Sequence, residues 1–319
     1  MPGDRPLVIA HRGACGYLPE HTLPAKALAH GMGADFIEQD VVLSADGVPV
    51  VLHDIYLDST TDVAARFPGR ARDDGHFYAV DFSLGEIRTL HAHERRGPDG
   101  RAVFPGRFPA DAALFRVPTL AEEIDLLAGL DHSTGRRTGL YIELKSPNRH
   151  RAAGLDLAAA VLEVLDDKGY ANRPDQVFLQ CFDDATLRRL AGEFDTGLPL
   201  VQLIADPSWG EDSAVDFDRL RTPAGLDDVA TYAGAIGPWI PHVYLGREPS
   251  GEPLLSPLVE QARERGLQVH PYTFRSDELP PGIEEFSELL DIFVGRLHVD
   301  GLFTDFPDTV RAFIDGIGA

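Results

Sequence analysis

Leu7-Val8-Ile9-Ala10-His11-Arg12-Gly13 decides how the rest of the chain is read, because four apolar residues run straight into a His-Arg-Gly turn. Short runs rich in Val, Ile and Leu return at 35–42, 140–145, 176–181, 200–204, 235–238, 267–273 and 299–303. Helical patterns separate most of them. Thr119, with Glu122 three residues on, forms a capping box that opens onto Ile124, Leu126, Leu127 and Leu130. Others cover 155–167, 183–193, 255–265 and 307–314. Strand-then-helix alternation around eight strands predicts an α/β fold, a TIM (β/α)8 barrel, with catalytic groups at the C-terminal strand ends. An open doubly wound sheet is the alternative.

The alternation breaks between His53 and Thr119, where Pro68, Gly69, Pro98, Gly100, Pro105, Gly106 and Pro109 punctuate a charged stretch with one helical pattern at 84–90. Stretches this long are functional loops or small subdomains. The chain is therefore read as one barrel domain, 1–319, with an inserted subdomain at about 57–117 above the barrel mouth. His76, His91 and His93 within it are expected to be solvated.

Composition narrows the function classes. The 319 residues carry 29 Lys plus Arg against 51 Asp plus Glu, a net charge of −22, with 44% hydrophobic residues. That apolar share supports a sizeable core, and the acidic surplus offers no handle for nucleic acid or anionic lipid. No stretch is long and apolar enough to span a bilayer, so no stable membrane association is expected. Neither Cys15 nor Cys181 lies in a metal-binding spacing, which leaves two structural thiols. The N-terminus lacks a signal-peptide apolar run and reads as cytoplasmic, with a periplasmic or secreted origin as the alternative if a leader was removed. Only three lysines occur, Lys26, Lys145 and Lys168, so each well-placed one matters.

The strand ends collect chemistry. In Phe36-Ile37-Glu38-Gln39-Asp40-Val41-Val42 a strand aims Glu38 and Asp40 at one face, with Ile37 and Val41 on the other. Two like charges inside a barrel are costly unless a cation joins them, and a hard divalent ion, Ca²⁺ or Mg²⁺, suits oxygen ligands. A solvated strand end is the competing reading. A turn at Ser44-Ala45-Asp46-Gly47 returns an apolar strand ending in His53-Asp54 to the same mouth. Glu143 and Lys145 repeat the shared-face device on the third main strand. Two His, three carboxylates, Arg12 and Lys145 suit hydrolysis of a phosphate ester: cations neutralise phosphate while two imidazoles move protons.

Other residues carry weaker expectations. Glu20 supports the first loop, and His21 caps the following helix or touches a ligand. Gly13 lets backbone approach a ligand. Gln180 and Gln202 order polar groups or fill the barrel. His270 and Tyr272 share a strand face, and Tyr272 and Phe303 are expected to line the pocket. Asp300 and Asp305 are expected to serve loop structure more than catalysis.

His11-Arg12-Gly13 with Pro19-Glu20-His21-Thr22, Glu38-x-Asp40, His53-Asp54, Glu143-x-Lys145, His270-Pro271-Tyr272-Thr273 and Asp300-Gly301-Leu302-Phe303-Thr304-Asp305-Phe306-Pro307 resembles the glycerophosphodiester phosphodiesterases. The likeness runs over essentially the whole chain and is closest to the bacterial GlpQ-type branch, where His replaces the Asn of Glu-Asn-Thr. It implies a TIM barrel that hydrolyses glycerophosphodiesters such as glycerophosphocholine and glycerophosphoethanolamine to sn-glycerol 3-phosphate and an alcohol. By position it implies Glu38, Asp40 and Glu143 as ligands of one divalent cation, Ca²⁺ ahead of Mg²⁺. It also implies His11 and His53 as the acid/base pair, and Arg12 and Lys145 as phosphate holders. Monomer and homodimer are both left open. The rival classes are a barrel lyase acting on lipids, a non-catalytic surface binder and a sugar-phosphate isomerase or aldolase.

Overall fold

In a computed structural model describing residues 5–317, the apolar runs become strands. They are β1 Leu7–Ala10, β2 Phe36–Leu43, β3 Pro49–Val51, β4 Gly139–Leu144, β5 Val177–Cys181, β6 Leu200–Ile204, β7 Ala235–Pro238, β8 Tyr244–Arg247, β9 Pro253–Leu255, β10 Gln268–Val269 and β11 Gly301–Thr304. Eight of them are parallel neighbours in the order β10-β7-β6-β5-β4-β2-β1-β11. The ends meet. Asp300 N donates to Val269 O at 3.1 Å, and Phe274 N donates to Phe303 O at 2.8 Å. The sheet thus nearly closes into a barrel, which excludes the open doubly wound alternative.

Alternation along the strands sorts the core into layers. Ile9, Phe36, Tyr141, Phe178, Val201 and Phe303 fill the barrel. Val8, Ile37, Val41 and Ile142 point outward and pack with the helices. Thr119 and Glu122 make the reciprocal capping box of helix Leu120–Thr134. Asp156 and Asp183 cap helices Leu157–Asp167 and Asp184–Gly192.

Two boundaries differ from expectation. The 255–265 helix is only Leu258–Arg263, because Pro253–Leu255 pairs antiparallel with Tyr244–Arg247. The seventh run keeps two residues in regular strand, since Pro271 has no N–H to extend the ladder. His270 N and Tyr272 N still donate to Ile236 O and Pro238 O, at 2.9 and 3.0 Å.

Between β3 and helix Leu120–Thr134, the 57–117 segment holds a small apolar core in which Leu57, Val63, Phe82, Ile87 and Leu90 pack onto Val50 and Leu52 of the hairpin. Its expected 84–90 helix is one turn, Leu84–Ile87, with Ser83 and Glu86 forming the capping box. His93 is buried rather than solvated, with Nδ1 at 2.8 Å from Glu94 O.

Candidate active site

Register brings the carboxylates together. Asp40 on β2 sits opposite Glu143 on β4, and Glu143 sits opposite Gln180 on β5. With a strand's two-residue period, Glu38 and Asp40 then face the barrel mouth beside Glu143. Ligand atoms from all three buried side chains lie within 4.8 Å of one another. Glu38 accepts from Arg12 N and from Gln180 Nε2, each at 2.9 Å. His21 Nε2 lies 2.7 Å from Asp40 Oδ2, and Lys145 Nζ 2.7 Å from Glu143 Oε1.

Burial, and then repulsion from Asp40, pushes Glu38 up to about 8. Glu143 is likewise pushed well above the carboxylate range, chiefly by burial. Burial acts the same way on Asp40, but His21 and Lys145 outweigh it and hold that carboxyl low. Asp40 Oδ1 is buried and accepts no hydrogen bond among the described residues. Three crowded carboxylates with an idle buried oxygen fit a hard cation better than they fit one another.

The two histidines share one arrangement. His11 follows β1, and its Nδ1 lies 2.6 Å from Asp305 Oδ1 while Nε2 is 3.8 Å from Glu38. His53 follows the β2–β3 hairpin, with Nδ1 2.6 Å from Asp54 Oδ1 and Nε2 3.4 Å from Lys145 Nζ. Each ring thus has a carboxylate behind it and turns Nε2 to the mouth. Burial, reinforced by Arg12, brings both down to about 4, with Asp305 and Asp54 pulling the other way.

The backing carboxylates are themselves anchored by arginines. Arg95 donates to Asp54 at 2.7 Å and to both oxygens of Glu20, and Glu20 accepts from Arg12 at 3.1 Å. Arg107 and Arg275 donate to Asp305 at 2.7 and 2.8 Å. Arg12 adopts a left-handed φ of 55°, which turns its N–H onto Glu38.

These groups line a cavity of about 400 Å³. His11, Arg12, Glu38, His53, Glu143 and Lys145 form one side. Tyr272 and Phe303 also line the cavity, and Asp40 sits behind at 1% exposure. All the expected site residues therefore meet in one place.

Several weaker readings change. His21 does not cap the helix Leu23–Gly31; Thr22 does, accepting from Ala25 N. Gly13 meets helix backbone rather than ligand, since a Cβ there would stand 2.9 Å from Ala25 C. His270 is barrel filling, 2.8 Å from Tyr141 OH, and Gln202 bonds strand-end carbonyls. Asp305 does more than shape a loop, because it holds His11. Arg95, Arg107, Arg275, Trp209, Glu211 and Trp239 carried no signal as isolated residues, being brought in by the 57–117 segment and by loops after later strands.

Comparisons with known proteins bear on the fold and on what this chain is similar to. The model of the "Glycerophosphoryl diester phosphodiesterase family" matches residues 11–309. A glycerophosphodiester phosphodiesterase of Haemophilus influenzae is 40% identical over 99% of this chain and 92% of its own length. One from Treponema pallidum is 35% identical, over 97% and 91%. A solved structure from Silicibacter pomeroyi aligns with a TM-score of 0.73 at 28% identity, covering 99% of this chain and 95% of that one. An Oleispira antarctica phosphodiesterase in complex with the product sn-glycerol-3-phosphate shares the fold, with a TM-score of 0.63 at 23% identity over 98% and 97%.

Proposed function

The chain belongs to the glycerophosphoryl diester phosphodiesterase family, and we propose that it hydrolyses glycerophosphodiesters such as glycerophosphocholine and glycerophosphoethanolamine to sn-glycerol 3-phosphate and an alcohol, using one divalent cation. The relatives carry the name glycerophosphodiester phosphodiesterase; the metal, the particular substrates and the residue roles are proposed for this chain. The observation that carries it is the meeting of three buried carboxylates with two carboxylate-backed imidazoles on one cavity. The same acid (sn-glycerol-3-phosphate) is the product in the Oleispira complex. Residues 1–319 are read as one barrel domain, and 57–117 as its insertion.

Glu38, Asp40 and Glu143 would hold the cation, Ca²⁺ ahead of Mg²⁺. Bound there, it supplies Lewis-acid neutralisation of phosphate oxygens. Arg12 and Lys145 orient the phosphate and share its charge. His11 Nε2 accepts the proton of the nucleophile, and Asp305 stabilises the resulting imidazolium. His53 delivers an Nε2 proton to the departing alcohol oxygen from the imidazolium form, which Asp54 behind it and the arriving phosphodiester anion both favour; the opposite assignment uses the same two atoms. The nucleophile is water or the neighbouring glycerol hydroxyl, which would pass through a cyclic phosphate and gain from proximity. A 2-deoxy substrate turned over at full rate rules out the cyclic route.

The decisive assay follows glycerol 3-phosphate release from glycerophosphocholine with EDTA, then with Ca²⁺ or Mg²⁺ restored. Release that EDTA stops and a cation restores supports the reading; release indifferent to EDTA removes the cation from it. No release under any condition overturns it.

A further inference from the structure

The far side of the cavity is built of different material from the catalytic side. Phe182 follows β5, Trp209 lies beyond β6, Trp239 follows β7 and Tyr272 lies beyond β10, all on the cavity wall. Trp209 and Trp239 have ring centroids 5.0 Å apart at 64°, and Trp209 and Tyr272 are 6.4 Å apart at 55°. Three rings inclined to one another in this way make the walls of a corner rather than a flat stack. Glu211, on the same wall, makes no side-chain hydrogen bond or ion pair among the described residues. It is close enough to Lys145 to favour that ammonium electrostatically.

An idle carboxylate beside an anion-binding site is an electrostatic liability. It opposes a phosphodiester unless the substrate brings its own positive charge to that end. Aromatic faces with a carboxylate are the setting in which quaternary and primary ammonium groups are held, by cation–π attraction plus charge pairing. A chain of net charge −22 also favours arrival of a cationic end.

We propose that Trp209, Trp239, Tyr272 and Glu211 form a cation-selecting subsite for the leaving alcohol, favouring esters of ammonium alcohols over esters of neutral or acidic ones. This rests on the function proposed above. Glycerol, with its hydroxyls, is then left to the polar side of the cavity.

Trp209 and Trp239 are the chain's only two tryptophans, so selectively excited tryptophan emission reports on this corner alone. The cation-loaded full-length protein is titrated with choline chloride and with 3,3-dimethylbutan-1-ol, choline's uncharged carbon isostere, at constant ionic strength. A saturable emission change with choline, at least about tenfold weaker in affinity for the isostere, is expected. Equal responses, or none to choline, overturn the subsite. In parallel, kcat/KM is measured for glycerophosphocholine and for the 3,3-dimethylbutyl ester. The choline ester is expected to lead by about tenfold or more, with the ratio falling toward one in Glu211→Gln and in Trp209→Ala, a residue 43% exposed. A wild-type ratio near one overturns the subsite while the phosphodiesterase reading stands. Failure to hydrolyse either ester overturns that reading instead, and the emission titration still decides the subsite.

Discussion

Lys26→Met should destabilise the protein by an amount that grows with pH. Lys26 and Glu123 are both 0% exposed, with Nζ 3.1 Å from Oε2. At an effective dielectric of about 20 the gross attraction of such a pair is about 5 kcal/mol. The ammonium also donates to Glu38 O and lies 3.2 Å from His21 Nδ1. Glu123 is pushed up to about 7, chiefly by burial, with Lys26 opposing. Removing the lysine raises it further, so below pH 7 the carboxyl answers by keeping its proton. The loss there is mainly that of the lysine's hydrogen bonds, about 1–3 kcal/mol. A folded-state pKa above the unfolded value gives stability that is lost as pH rises through it. The variant therefore loses about 1.4 kcal/mol more than wild type per unit above 7, or nearly 3 kcal/mol by pH 9. Urea unfolding at half-unit steps from pH 6 to 9 measures this, with Lys26→Met/Glu123→Gln as the control whose deficit stays level. A single-variant deficit that is flat to within about 0.5 kcal/mol across that range would refute the reasoning.

Three other outcomes follow from the same contacts. Asp305→Asn removes the charge behind His11 and should lower kcat by roughly 10–100-fold with KM little changed, since a hydrogen bond to a charged group contributes about 1.5–3 kcal/mol; steady-state kinetics with unchanged kcat would dismiss Asp305 as a positioning residue. Arg95→Met leaves Glu20 to Arg12 alone and Asp54 to His53, and should cost about 1.5–3 kcal/mol of stability, read from thermal or urea unfolding, along with most activity. His150 is buried, with neither ring nitrogen bonded among the described residues, and burial brings it down to about 4. Its depressed value means stability present above pH 6.5 is lost as pH falls toward 4, on the order of 3 kcal/mol, and His150→Gln should flatten that acid limb in melting curves.

How much of this was legible depended on whether the signal was local. Glu38 and Asp40 could be placed on one face because a strand repeats every two residues. His53 could be returned to the mouth because a short turn separates its strand from β2. Closure is what hid Asp305: it meets His11 across 294 residues, only because β11 lies beside β1. Arg95 and Arg107 were hidden for a similar reason, since the stretch carrying them has no period to say which way it folds back. Scarcity was the better guide, for two of the three lysines, Lys26 and Lys145, lie buried at or beneath the site.

Arg95 and Arg107 both come from the 57–117 segment, and between them they grip the acid behind each imidazole. A barrel that had folded before this segment docked would hold every expected site residue and still lack Arg95 on the acid behind His53 and one of the two guanidinium groups on the acid behind His11. Maturation of activity should lag behind formation of the strands. For an engineer, the same wiring means that this region cannot be trimmed or exchanged as a free module: any replacement must return two guanidinium groups to the same two carboxylates.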